Sequence, residues 1–304
     1  MKTIINPILP GFHPDPSIIR VEEDYYIAVS TFEWFPGVCI YHSRDLQNWE
    51  LIARPLERTG QLDMRGNGCV GRCLCSVPFG MIRGLIIWSI LMSVHTGMNL
   101  WTARTIWSRQ KISKDRGLIR FIFTVQDRFF FVSRYRWKEI SGRSDKTLQE
   151  RQNTKNNFFR NTMIKKKRLI GKLKEIYAGS GISIPEGPHL YKKGGYYYLL
   201  TAEGGTEYGH AVTMARSRNI EGPYELHPGN PILTSRDNLR ADLQKAGHAD
   251  LVETPDGQWY MVHLCARPLP LSGDVRLEER RRYRKWSGKM MNGCIWKPEK
   301  GNRR

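Results

Sequence analysis

Six cysteines in 304 residues do not make a disulfide framework for a chain this long. Cys69, Cys73 and Cys75 are crowded, but no second ligand pair sits at zinc spacing, and they read as incidental. Long hydrophobic runs are also missing. The longest, Leu85 to Val94, contains Trp88 and two serines and is too short to span a bilayer. Residues Met1 to Pro7 hold no apolar core of signal-peptide length, so a cytoplasmic chain without membrane contact is expected. Acidic residues are scarce only in places. The chain carries 48 Lys+Arg against 29 Asp+Glu, a formal net charge of +19. Residues 67–163 hold 17 basic against 5 acidic side chains, and residues 271–304 hold 11 against 4. Elsewhere the signs balance at 20 each. A nucleic-acid face is usually interleaved with the folded elements that present it. Here the excess sits in two blocks, so neither DNA nor RNA is expected as a partner.

A repeat fills the balanced part of the chain. In Gly11-Phe12-His13-Pro14-Asp15-Pro16-Ser17 one acid lies between two prolines, directly before an apolar run. Pro16 disfavours the helical region for the residue before it, so Asp15 is expected to be extended and its carboxylate aimed. Ten positions on comes Tyr25-Tyr26, after the turn Glu22-Glu23-Asp24. Glu186 likewise precedes Gly187-Pro188-His189-Leu190-Tyr191, a Lys-Lys-Gly-Gly turn and then Tyr196-Tyr197-Tyr198. His248 precedes Ala249-Asp250-Leu251-Val252, the turn Thr254-Pro255-Asp256-Gly257 and then Trp259-Tyr260. Each polar residue thus leads a strand–turn–strand hairpin. A second unit recurs beside the first: Ser43-Arg44-Asp45-Leu46-Gln47-Asn48-Trp49 parallels Ser217-Arg218-Asn219-Ile220-Glu221-Gly222-Pro223-Tyr224. Repeated four-strand units predict an all-β propeller. If the first strand of each unit lines the central channel, Asp15, Glu186 and His248 reach one cavity. Plainer readings exist for each. Asp-Pro is a turn signal, Glu186 suits a charged loop, His248 suits a satisfied core histidine, and Phe32 and Trp34 suit propeller core.

The same residues carry a family resemblance. Asn6-Pro7-Ile8 with the Gly11–Ser17 stretch, Ser30-Thr31-Phe32-Glu33-Trp34-Phe35-Pro36-Gly37, Glu186 to Tyr191, and Lys245-Ala246-Gly247-His248-Ala249 resemble the β-xylosidases of glycoside hydrolase family 43. The resemblance covers about 1–66 and 164–270. It implies a five-bladed propeller that hydrolyses xylosides with inversion, often with α-L-arabinofuranosidase activity beside it. It makes Asp15 the general base and Glu186 the general acid, with Phe32 and His248 on the substrate. No cofactor or metal is implied, while a structural cation in the channel and a homo-oligomer stay open. Members usually carry a β-sandwich after the propeller, for which this chain has no room. A third aspartate, which orients the acid, is expected in the middle third. Asp127 lies nearby without the expected Asp-Pro-Ser context.

The resemblance and the repeat fail together over 67–163 and 271–304. Reading Thr105 to Ile122 from the third base of each codon, with a choice among synonymous codons, can give HLVTAKDIKGPWSDPVY, another copy of the second unit. Ser133 to Gly142, read from the second base, can give HDTDGKKYLV, and Glu278 onward can give RETAIQKVEWKDDEWLYLE. Insertions or deletions near 67 and 270, with compensation near 164, are expected in the gene or its sequencing. The domains are then 1–270, a glycosidase propeller aberrant over 67–163, and 271–304, an aberrant basic tail.

Inversion needs one carboxylic acid to protonate the leaving oxygen and one carboxylate to deprotonate water on the opposite face, roughly 6.5–9.5 Å apart. Asp15 suits the base, which stays ionised. Glu186 suits the acid where burial and a neighbouring negative charge raise its pKa. The leading expectation is a glycosidase that releases xylose, and with it arabinose, from xylo-oligosaccharides or arabinosides, with damage that can abolish activity. A non-catalytic remnant of such an enzyme comes second, and a basic nucleic-acid-binding protein third.

Overall fold

A computed structural model describes residues 4–57 and 174–268, apart from Glu33 and Ile184, and beyond these the backbone of the strands named below. Its described elements are all strands, gathered into five antiparallel sheets in chain order. The first runs β1 (Ser17–Val21), β2 (Asp24–Val29), β3 (Cys39–Ser43) and β4 (Glu50–Ala53), each paired with the next. The second contains β5 (Leu74–Cys75), β6 (Phe79–Ile82), β7 (Leu85–Val94) and β8 (Gly97–Arg104), so the longest apolar run of the sequence is a strand paired on both sides. The third contains β9 (Ile122–Val125), β10 (Arg128–Ser133), β11 (Asn157–Met163) and β12 (Arg168–Tyr177). The fourth contains β13 (Glu186–Lys193), β14 (Tyr196–Glu203), β15 (Ala211–Ser217), β16 (Glu225–Leu226) and β17 (Leu233–Thr234). The fifth contains β18 (Gln244–Glu253), β19 (Trp259–Ala266) and β20 (Met291–Trp296). This is the succession of blades of a five-bladed propeller. Two of the five take most of their strands from the stretch where no repeat is legible in the sequence.

The hairpins the repeat predicts are β1–β2, β13–β14 and β18–β19. Their side chains alternate across the sheet, as period-two strands require. In β2, Tyr25, Ile27 and Val29 are buried and pack with Ile18, Tyr41, Val252 and Val262. That cluster joins the first sheet to the fifth. Leu200 and Val212 meet Ala249 and Met261 and join the fourth sheet to the fifth. Burying such side chains supplies roughly 1.5–3 kcal/mol each.

A buried carboxylate completes this three-sheet junction. Asp250 Oδ2 accepts from Ser17 Oγ and the Ile18 amide, both at 2.8 Å. Its Oδ1 accepts from Tyr191 Oη at 2.5 Å and lies 2.9 Å from His189 Nδ1. Burial alone would raise the pKa of Asp250; the nearby His189 and these hydrogen bonds outweigh it and hold the group below its ordinary value.

The second sequence unit is a turn built twice. Ser43 Oγ accepts from the amides of Asp45 and Leu46, and Trp49 Nε1 donates to the Leu46 carbonyl. Ser217 Oγ accepts from the Asn219 amide, and Tyr224 Oη donates to the Ile220 carbonyl. Serine, an Asx residue and an aromatic at this spacing close the β3–β4 and β15–β16 connections in the same way.

Candidate active site

β1, β13 and β18 lie at the edges of their sheets; Asp15 and Glu186 stand at the N-terminal ends of β1 and β13, while His248 lies in the middle of β18 and Phe32 follows β2. Asp15 stands two residues before β1. Its Oδ2 accepts from Ser30 Oγ at 2.7 Å, and the Ser30 amide donates to the Pro14 carbonyl at 3.0 Å. Its Oδ1 lies 3.3 Å from His248 Nδ1. The Asp15 side chain is mostly enclosed and keeps 11% of its surface.

The backbone of Asp15 is not extended. Its φ is +49°, in the left-handed region. A following proline excludes the right-handed helical region only, and the double tether to Ser30 together with the approach to His248 fixes the residue where few L-residues sit. Phe32 has φ +44° and His248 φ +48°. Such conformations cost about 1–3 kcal/mol each and persist where the surroundings over-determine them. Three of the four candidate residues share the feature, and in the fourth case it falls on the next residue, Gly187, at φ +49°.

Glu186 opens β13 opposite Ala202. The register slips between Glu186 and His189, which accommodates Gly187-Pro188 on an edge strand where proline's missing N–H is tolerated. Gly187 lies under the imidazole of His248, and a Cβ there would come within 2.8 Å of His248 Nε2. Asp15 therefore contacts His248, and His248 packs on the residue that follows Glu186. β18 is irregular on both sides of Gly247, and such bulges re-aim side chains at the mouths of barrels and sites. Phe32 stands edge-on to Phe12, three residues before Asp15, with centroids 5.7 Å apart. Beyond it Trp34 and Phe35 are exposed. Asp127 lies outside the described residues. Among the described residues no group of three or more His, Cys, Asp or Glu could hold a metal ion, and no helix is long and apolar enough to cross a membrane.

Three supporting residues escaped the sequence reading. Asp250 is the first. The second is His210, whose ring lies flat on Gly247, where a Cβ would fall 2.4 Å from three ring atoms. Its Nδ1–H donates to the Lys245 carbonyl. Burial, and then the nearby His248, lower its pKa to about 4, so it is neutral near pH 7. The third is Glu203, fully buried, which accepts from Thr213 Oγ1, Tyr177 Oη and both the amide and hydroxyl of Ser180. It ties the segment leading into Glu186 to the end of β14. No local motif marks any of the three; only Gly209, just before His210, hints at close packing.

A propeller in which Asp15 meets His248, and His248 packs on the residue after Glu186, points to a class, and the comparisons name it. The profile of Glycosyl hydrolases family 43 matches residues 4–71 and 141–285, and the chain belongs to that family. The unmatched interval falls inside 67–163, but the match extends over 141–163 and 271–285, beyond the bounds drawn from the sequence. Xylosidase/arabinosidase 43B of Humicola insolens is 48% identical over 285 residues, covering 88% of this chain and 50% of that protein. A beta-xylosidase of Bacillus subtilis is 44% identical over 295 residues, covering 91% and 52%. The crystal structure of xylan beta-1,4-xylosidase from Bacillus halodurans C-125 superposes with a TM-score of 0.79 at 40% identity, over 97% of this chain and 54% of that one. The chain spans about half the length of these relatives.

Proposed function

We propose that this chain forms the catalytic pocket of an inverting glycosidase that releases xylose, and with it arabinose, from the non-reducing ends of xylo-oligosaccharides or arabinosides. The observation that carries this reading is the contact sequence from Asp15 through His248 to Gly187, which brings the strand starts bearing two carboxylates to one place. Asp15, tethered by Ser30 and still reached by solvent, takes the proton of the attacking water. Glu186 delivers a proton to the leaving oxygen from the other side. His248 holds Asp15 in orientation and borders the sugar, and the ring of Phe32 offers an apolar face for it. The chemistry asks for no metal or cofactor.

Assay of 4-nitrophenyl β-xyloside and 4-nitrophenyl α-L-arabinofuranoside tests the reading. Proton NMR of the first-formed sugar should show the inverted anomer. Retention, or no hydrolysis by a cooperatively folded chain, overturns it, and the second outcome favours a sugar-binding remnant. The broken repeat over 67–163 favours that alternative, because a displaced reading frame there removes the third aspartate. Resequencing the gene tests this directly: an unbroken frame through codons 105–122 with no slip on either side refutes the displacement.

A further inference from the structure

The buried Asp250 carboxylate lies where the three strands of the site meet, yet it is not itself among the residues facing the sugar. We infer that Asp250 is a positioning residue that sets Asp15, Glu186 and His248 against one another. The inference rests on the glycosidase reading for its meaning, but its geometry stands by itself. Each strand contributes a group close in sequence to one site residue. Ser17 and Ile18, which donate to Oδ2, follow Asp15 by two and three residues. His189, 2.9 Å from Oδ1, follows Glu186 by three. Asp250 itself follows His248 by two. Each clamp group lies within three residues of its site residue, so fixing the clamp limits where Asp15, Glu186 and His248 can stand.

The clamp requires a carboxylate in particular. Five donors converge on two oxygens: Ser17 Oγ and the Ile18 amide on Oδ2, and His189, Tyr191 Oη and the Leu251 amide on Oδ1. An ionised carboxylate only accepts, with about four lone-pair sites, whereas a carboxamide of the same shape turns an NH2 toward one set of donors. Asp250→Asn therefore keeps the volume and forces one of the three strands off the clamp. A buried carboxylate that merely held the sheets together would affect stability and leave the geometry at the strand starts alone.

Two variants of the full chain separate these roles. Asp250→Asn breaks the clamp. Ser17→Ala removes one donor, keeps the charge and leaves His189 in place, and so remains informative where Asp250→Asn fails to fold. Imidazole NMR signals, assigned through a His248→Gln variant, are followed with thermal melts and with kcat and KM on 4-nitrophenyl xyloside. Positioning predicts that the His248 signals shift in both variants. It also predicts that kcat falls with KM nearly unchanged, by on the order of 100-fold for Asp250→Asn and several-fold for Ser17→Ala, as expected for a misplacement of about 1 Å. Folded variants with lowered melting temperatures but unmoved His248 signals overturn the inference. If the parent chain hydrolyses nothing, the glycosidase reading falls alone, because the His248 signals still decide the role of Asp250.

Discussion

The first and fourth sheets solve one construction problem identically at the rim and differently at the axis. At the rim a serine hydroxyl caps the turn after β3 and after β15, and an aromatic side chain seals it onto a carbonyl. At the axis the first sheet places the unfavourable left-handed backbone on the proposed general base itself, Asp15 at φ +49°. The fourth moves it one residue on, to Gly187, where the missing side chain makes room for His248. Rim positions answer to sheet geometry, which is common to both blades. Axis positions answer to the proposed chemistry, in which a base and an acid approach the sugar from different sides.

The largest expected effect breaks the axial comparison directly. Asp15→Asn should lower kcat by about 10²–10⁴-fold on every substrate, as loss of a general base does. Glu186→Gln should cost a similar factor on xylobiose and much less on 4-nitrophenyl xyloside, whose phenolate leaves without a proton. Equal losses on both substrates for both variants would erase the proposed division of roles. Core truncation should not distinguish the sheets: Ile27→Ala in the first and Leu200→Ala in the fourth remove fully buried side chains and should each cost about 2–5 kcal/mol by denaturant unfolding.

Acid should separate them by degree, since burial also lowers the pKa of His13, beside Tyr41 in the first sheet. His210, beside the fourth sheet, falls from an ordinary 6.5 to about 4 in the folded chain. Between those values the unfolded chain binds a proton the folded chain refuses, so stability is full above pH 6.5 and falls as pH drops toward 4, by on the order of 3 kcal/mol. Melts of a His210→Asn variant should lose that part of the slope. Asp250 acts lower: its contribution is complete above its ordinary 3.8 and disappears as pH falls through its depressed folded value.

Backbone substitution sharpens the contrast. Gly187→Ala should lose about 1–3 kcal/mol from φ strain alone, and more from collision with His248. Asp15→Gly relieves its strain and should abolish turnover with little change in melting temperature. The smallest effects should again be shared, since Ser43→Ala and Ser217→Ala each remove a turn-capping hydroxyl worth about 0.5–1.5 kcal/mol.

How much of this was legible beforehand follows the range of the interactions. Each hairpin, rim turn and leading position of Asp15, Glu186 and His248 is encoded in a short local stretch, where period and turn chemistry act. The backbone of Asp15 was misjudged because the proline rule excludes one conformation without choosing among the rest, and Ser30 and His248 made that choice. Asp250, Glu203 and His210 look like ordinary polar strand and loop residues; their partners lie up to 233 positions away. The middle stretch gave no repeat to read, although strands run through it.

The link from Ser17 to Asp250 has a consequence for how the protein is made. It joins residues 233 positions apart, so during translation the segment bearing Asp15 leaves the ribosome long before the partner that pins it. Non-local closure of this kind is slow, because the loop entropy is spent before the contact forms. Nascent chains that stop short of β18 would hold two finished rims around an unset centre, and chaperones would meet the protein in that state.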